Sequence, residues 1–185
     1  IFASIFLSIF ILGCGSTNSG NDSYYFVTRL GNDTLAIERI TEMENALRAD
    51  VVLRSPRISL TSYQISWSSD NKLQAMRAVR YDEAFGTFPA GGKTIQQIEA
   101  VGDSLIIESE GRNGLMKRSI LNERSYLPFI DMVHWPYDIA FERAHQTAKD
   151  SIHQYLLTGR RASDFIIHRT ADKEYTLRHP SRGVM

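Results

Sequence analysis

The chain has 185 residues, and its 21 lysines and arginines balance its 21 aspartates and glutamates, so the formal net charge is zero. This balance argues against a nucleic-acid-binding protein, which would carry a basic stripe. The single cysteine excludes both an intrachain disulfide and a metal site built from several cysteines.

The first thirteen residues, IFASIFLSIFILG, form an uncharged apolar run. This run is shorter than the roughly 20 residues that a membrane-spanning helix needs, and it has the length of the apolar core of a signal peptide. Such peptides normally begin with Met and a basic segment. We therefore expect residues 1–13 to be a signal peptide whose start is missing here.

The junction Ile11-Leu12-Gly13-Cys14 resembles the lipobox of bacterial lipoproteins. In that family the cysteine thiol receives a diacylglyceryl group, the signal is cut before the cysteine, and the new amino terminus is acylated. The resemblance covers residues 1–14 only. It implies that Cys14 is the lipidation site and that the mature chain is anchored to a membrane.

A short polar segment follows the junction. We interpret residues 14–23 as the lipidated cysteine and a flexible tether, because GSTNSGND has the composition of a flexible linker. By resemblance to lipoprotein sorting signals, Gly15 and Ser16 lack the acidic residue that retains some lipoproteins at the inner membrane. This implies an outer-membrane location facing the periplasm.

The remaining chain, residues 24–185, is expected to form a single β-rich domain. Runs rich in aromatic and β-branched residues, separated by short turn segments, indicate consecutive antiparallel strands. In the run 73–84, Leu73, Ala75, Val79 and Tyr81 share one parity. The predicted strands cover residues 23–30, 34–43, 49–55, 58–67, 73–84, 94–101, 104–110, 115–121, 151–158, 164–171 and 174–180. The end, RHPSRGVM, carries no capping element, so we expect the natural chain to continue.

One helix is predicted over residues 136–150. Pro136 suits the first helical turn, and apolar residues recur after it at helical spacing. Acids lie early and bases late, which suits the helix dipole. The predicted fold is mainly β: a curved antiparallel β-meander or half-barrel with one amphipathic helix packed on its inner face. In architecture alone, this outline is similar to that of periplasmic lipoprotein carriers.

The segment 126–135, YLPFIDMVHW, holds more apolar mass than a surface loop needs. We expect it to be a loop or a short helix that plugs the sheet. Its side chains either fill the concave side of the sheet or line a cavity for an amphiphile. The candidate ligand-lining residues are Phe129, Met132, Trp135, Tyr137 and Phe141.

Catalytic motifs are weak. The sequence contains neither a G-x-S-x-G elbow nor an HExxH motif. The letters GDSL at 102–105 match the nucleophile block of the GDSL esterase family, but Gly102 and Asp103 lie between two predicted strands and favour a tight turn. His134 and Asp138 could chelate a metal across a turn, yet no metal site and no cofactor is predicted.

These observations favour a non-catalytic, membrane-anchored envelope lipoprotein that binds an amphiphile or an envelope partner and no nucleic acid. Two alternatives stay open. One is a hydrolase that uses His134 or His145 with nearby carboxylates. The other is the N-terminal scaffold of a longer lipoprotein whose active part lies outside this sequence.

The lipobox resemblance can be tested by replacing its sulfur. Expression of the complete gene with Cys14→Ser should abolish acylation and release the protein from the membrane fraction. The diacylglyceryl group is transferred to a thiol, and serine offers only a hydroxyl. Cell fractionation and intact-mass measurement check both effects. Acylation of the unaltered chain is the control, and a Cys14→Ser product that still sediments with membranes would contradict the anchor.

Overall fold

The computed structural model describes residues 23–54, 57–81, 91–111, 113–130, 132–147, 149–157, 162–172, 174–179 and 183–184. The predicted signal peptide and Cys14 therefore lie outside the described residues. Ser23, which belongs both to the predicted tether and to the predicted strand 23–30, is the first residue of the first strand and pairs with Thr41.

Eight strands form one antiparallel meander in which each strand pairs with the next along the chain. This confirms the predicted mainly β fold, and the sheet is open rather than closed into a barrel. The strands are β1 (Ser23–Leu30), β2 (Asp33–Met43), β3 (Ala46–Leu53), β4 (Ser59–Trp67), β5 (Leu73–Tyr81), β6 (Lys93–Val101), β7 (Ser104–Gly111) and β8 (Gly114–Leu121).

Tight turns join these strands where the sequence places glycine. Gly31, between β1 and β2, has φ of 60°, and Gly102, between β6 and β7, has φ of 57°. Only glycine adopts this left-handed conformation without a steric penalty. The GDSL letters thus fall on a hairpin, with Ser104 as the first residue of β7. The predicted tight turn at Gly102 and Asp103 is confirmed.

The chain after the meander forms a second sheet and the one helix found among the described residues. Its elements are β9 (Tyr126–Pro128), α1 (Trp135–His145), β10 (Ser151–Leu157), β11 (Ala162–Ala171), β12 (Glu174–His179) and β13 (Gly183–Val184). The strand order is β13-β12-β11-β10-β9, and β9 runs parallel to β10. Because parallel neighbours need a crossover connection, α1 is the crossover of a β9-α1-β10 unit.

The prediction of a loop or short helix over 126–135 is wrong for its first three residues, which form β9. Tyr126 pairs with Tyr155, and Pro128 pairs with Leu157. Proline has no N–H for a ladder and is tolerated at the edge of a sheet, which is where β9 lies. The sequence pattern did not reveal this strand because only three residues are paired.

The main core lies on the inner face of the meander and includes residues of both sheets. In β5, Met76 and Ala78 face this core, so the parity of Ala75 and Val79 is not the buried one. A register shift opposite Ser66 and Trp67 brings Leu73 to the core side despite its odd number. The remaining fully buried core side chains include Ile40, Val51, Ile98, Leu105, Ile107 and Trp135.

The helix α1 is amphipathic as predicted but ends earlier than residue 150. Ala140 and Ala144 are buried in a second cluster, against β10 and β11. After His145 the last turn closes, because the Thr147 hydroxyl and amide both donate to the Ala144 carbonyl, at 2.9 and 3.3 Å. Among the described residues, no helix has the length and apolar character needed to cross a bilayer.

Glu38 connects the helix to the meander. It points inward from β2 and is fully buried. Its carboxylate accepts the His134 amide at 2.8 and 3.0 Å and the Trp135 amide at 3.2 Å. It also lies 2.9 Å from His134 Nδ1. The first amides of a helix have no intrahelical acceptor, and negative charge is favourable there, so Glu38 caps α1 from another element.

We expect Glu38→Gln to lower the free energy of unfolding by about 2 kcal/mol, because an amide removes the charge and one of the two acceptor oxygens from buried donors. Urea denaturation followed by circular dichroism measures the change. The exposed Glu44 offers a matched control, and Glu44→Gln should stay within about 0.5 kcal/mol of the unaltered chain. Equal effects of the two substitutions would show that Glu38 does not hold the helix.

Candidate functional site

A groove of about 530 Å³ lies between α1 and one end of the meander. One wall comes from the helix, through Asp138, Ile139, Glu142 and Arg143. The opposite wall comes from the ends of four strands and from two turns. Its residues include Tyr24, Glu42, Met43, Asn45, Ala46, Leu47, Trp67 and Asn71. We call this space the charged groove.

Two asparagines form the turns at the rim of the charged groove. Asn45, between β2 and β3, has φ of 56°, and Asn71, between β4 and β5, has φ of 61°. Asparagine tolerates this left-handed region better than other residues with a side chain. The Asn45 carbonyl accepts the Trp67 amide at 2.9 Å, so the first turn is joined to the end of β4. Backbone conformation and a backbone hydrogen bond therefore define the shape of the rim.

At one end of the charged groove, a single phenol contacts two carboxylates. Tyr24 Oη lies 2.8 Å from Asp138 Oδ2 and 3.0 Å from Glu42 Oε1. Burial raises the pKa of Tyr24 well above its usual value, and the hydrogen bond to Asp138 raises it further. The phenol thus keeps its proton. It has one hydrogen to donate, while two acidic groups converge on it.

At the other end lies Arg143, which is largely desolvated. Burial lowers the pKa of its guanidinium to about 10, so it is charged at neutral pH. Nη1 donates to Ser125 Oγ at 2.7 Å, and Nη2 donates to the Asn71 carbonyl at 3.3 Å. Both acceptors are neutral. Because a guanidinium has five N–H donors, Arg143 has donors left for an anion.

Trp67 forms the floor beside Arg143. The guanidinium carbon lies 5.9 Å from the centroid of the Trp67 ring, within the range of a cation–π contact. Trp67 Nε1 is buried without a hydrogen-bond partner among the described residues. Because this atom is itself inaccessible to solvent, the donor that this end of the groove presents is Arg143.

A second groove of about 600 Å³ adjoins the first along a neighbouring face of the helix. Asp138 and Glu142 line both grooves. The other lining residues of the second groove include one aromatic pair, in which Phe141 stacks on Tyr175 with ring centroids 5.8 Å apart. His145 Nδ1 lies 2.9 Å from the Tyr175 hydroxyl and closes the end. We call this space the aromatic groove.

The candidate ligand-lining residues occupy different places. Phe141 lines the aromatic groove. Trp135 is fully buried and packs against Tyr63 in the main core, 6.0 Å between centroids. Phe129 and Tyr137 form an edge-to-face pair 6.2 Å apart. Met132 is partly exposed at the start of the helical segment. The structure therefore brings together Phe129 and Tyr137 but does not join all five around one space.

The histidines of the hydrolase alternative lie at opposite ends of α1. His134 precedes the helix, and His145 is its last residue, which places them about 16 Å apart along the axis. His134 Nδ1 contacts both Glu38 and Thr28 Oγ1, at 2.9 and 3.1 Å. In a catalytic triad the carboxylate and the nucleophile contact different ring nitrogens, so this arrangement is not a triad.

The two residues suggested as metal ligands, His134 and Asp138, are held by different partners. His134 turns to Glu38, whereas Asp138 turns to Tyr24. Within the described ranges, no three side chains of the types His, Cys, Asp and Glu converge as metal ligands.

Most of the groove residues were not identified from the sequence. Asp138 was considered only as a possible metal ligand together with His134, and neither Glu142 nor Trp67 was a candidate site residue. Arg143 and Tyr24 gave no sequence signal. A buried arginine can be recognised only when its neighbours in space are known.

Comparison with protein-family models, with curated proteins and with solved structures gave no match for this chain.

The contact between β1 and α1 predicts a coupling energy. Tyr24→Phe should lower the free energy of unfolding by about 1–2 kcal/mol, because it removes the hydroxyl that donates to a carboxylate. In a double-mutant cycle with Asp138→Asn, the two effects should not add, with a coupling of about 1 kcal/mol. Tyr25→Phe is the matched control, since the neighbouring Tyr25 points outward and is 64% exposed. Additive effects would mean that Tyr24 does not hold Asp138.

Proposed function

We propose that this protein is a non-catalytic binding module for an amphiphile, held at the bacterial cell envelope by a lipid anchor at Cys14. The observation that carries the proposal is the pair of adjoining grooves along α1. Asp138 and Glu142 line both grooves; the first adds Arg143 and the strand ends of the meander, and the second adds the stacked rings of Phe141 and Tyr175.

An amphiphile needs both kinds of surface side by side. Its polar head requires hydrogen-bonding and charged partners, and these are present at Tyr24, Glu42, Asp138 and Arg143. Its apolar part gains free energy when it leaves water against side chains such as Phe141 and Tyr175. Each groove has the volume of an ordinary small-molecule site, which spans about 300–1,000 Å³.

The ionisable groups of the molecule favour binding over catalysis. Glu38 and His134 are engaged with each other and with the start of the helix. His153 pairs with Asp164 on the second sheet, at 2.9 Å. His145 contacts the Tyr175 hydroxyl. These pairs lie in separate places, so none of them supplies a nucleophile together with a base.

Photo-crosslinking in cells that express the complete gene tests this function. A benzoylphenylalanine at Gln146, an exposed residue that lines the charged groove, should give a covalent adduct with the mass of a lipid. The same group at Ser119, which is exposed on β8, is the matched control. A lipid adduct that is stronger at 146 than at 119 supports the binding module, because both chains share the same anchor.

Two results would contradict the amphiphile. The first is equal lipid labelling at both positions, since that reflects only the proximity of the membrane. The second is an adduct at Gln146 that contains an envelope protein and no lipid, which would move the function to a protein partner.

A further inference from the structure

We propose that the charged groove is selective for a zwitterionic head group, with an ammonium held at Glu42 and Asp138 and a phosphate or carboxylate held at Arg143. This inference rests on the proposed function and names the chemical class of the amphiphile. It follows from what the two ends of the groove have in excess: acceptors at one end and donors at the other.

The acidic end has more acceptors than donors. Asp138 Oδ2 and Glu42 Oε1 both lie within hydrogen-bond distance of the Tyr24 phenol. The phenol carries one hydrogen, so it satisfies one carboxylate oxygen at a time. The other oxygen is open to an outside donor, because Glu42 is exposed. An ammonium group supplies up to three N–H donors and a positive charge, which would satisfy both carboxylates at once.

The opposite end has more donors than acceptors. Among the described residues, the hydrogen bonds of Arg143 go only to neutral oxygens, those of Ser125 and Asn71. Ser125 Oγ in turn donates to the Asn71 carbonyl at 3.0 Å, so this carbonyl is shared between two donors. A phosphate or carboxylate is the group that accepts from a guanidinium most strongly.

Among the described residues, the charges at the two ends of the groove do not pair with each other. Within the described chain, no carboxylate accepts a hydrogen bond from Arg143, although Glu42, Asp138 and Glu142 line the same groove. A ligand with only a negative charge would meet these three acids, and a ligand with only a positive charge would meet the arginine. A zwitterion presents an attractive charge to each end, and this difference is the source of the selectivity.

Calorimetric titration of the lipidated full chain, purified in a non-ionic maltoside detergent, provides the test. The probes are glycerophosphoethanolamine as the zwitterion, glycerol 3-phosphate as its anionic half and ethanolamine as its cationic half. We expect the zwitterion to bind at least about tenfold more tightly than either half, because each end adds a charge-assisted contact. If either half binds as tightly as the zwitterion, the inference is overturned.

Substitutions test which end of the groove binds the anionic group and which binds the ammonium. Arg143→Gln should bring the zwitterion down to the affinity of ethanolamine, and Asp138→Asn combined with Glu42→Gln should bring it down to that of glycerol 3-phosphate. Arg143→Lys keeps the charge and should keep part of the preference. Glu110→Gln, on the distant strand β7, is the control and should change none of the ratios. Should Arg143→Gln fail to fold, the carboxylate variant and the half-ligand comparison still decide the question.

A final probe separates this inference from the function on which it rests. Dihexanoyl phosphatidylethanolamine carries the same head group with two short acyl chains. Tighter binding of this lipid than of glycerophosphoethanolamine supports an amphiphile. Equal affinities would overturn the amphiphile while leaving the zwitterion selectivity intact. Binding of lipids regardless of their head group would overturn the zwitterion selectivity while leaving the amphiphile intact.

Discussion

The buried carboxylate of Glu38 is the constraint on which the rest of the structure depends. A charge with no exposure to water is tolerated only when its hydrogen bonds are complete, and here the amides at the start of α1 complete them. The meander and the helix therefore satisfy each other: the strand gains donors, and the helix gains an acceptor at its positive end. Because this contact fixes where α1 begins, it also determines which of the later helical residues face the end of the meander.

From that fixed start, the helix serves two sheets at once. Trp135 enters the core of the meander, and one helical turn later Ala140 begins the contact with β10 and β11. The polar side between these contacts is left uncovered, and it carries Asp138 and Glu142. The two grooves are thus a consequence of packing. Where the helix passes from the main core to the second cluster, neither sheet covers the surface beside it, and polar residues line that surface.

Local patterns made most of the fold predictable, and long-range contacts made the site unpredictable. Hairpins are encoded by neighbours in sequence, so the order of the meander and the turn at Gly102 could be predicted. The strand β9 has only three paired residues and its partner β10 follows the helix, so no local pattern indicates it. In β5 a register shift places Leu73 on the buried side together with Met76 and Ala78, which simple alternation does not predict. The contact between Tyr24 and Asp138 spans 114 positions, and no pattern along the chain indicates it.

The asparagine turns at the rim have a consequence for how such a site can change. Asn45 and Asn71 shape the rim through backbone conformation, whereas the charges are carried by side chains at the ends of regular elements. Exchange of Glu42 for a residue of other charge would therefore change the charge of the groove and leave both turns in place. Exchange of Arg143 would do more, because its Nη2 donates to the Asn71 carbonyl and so supports one of the turns.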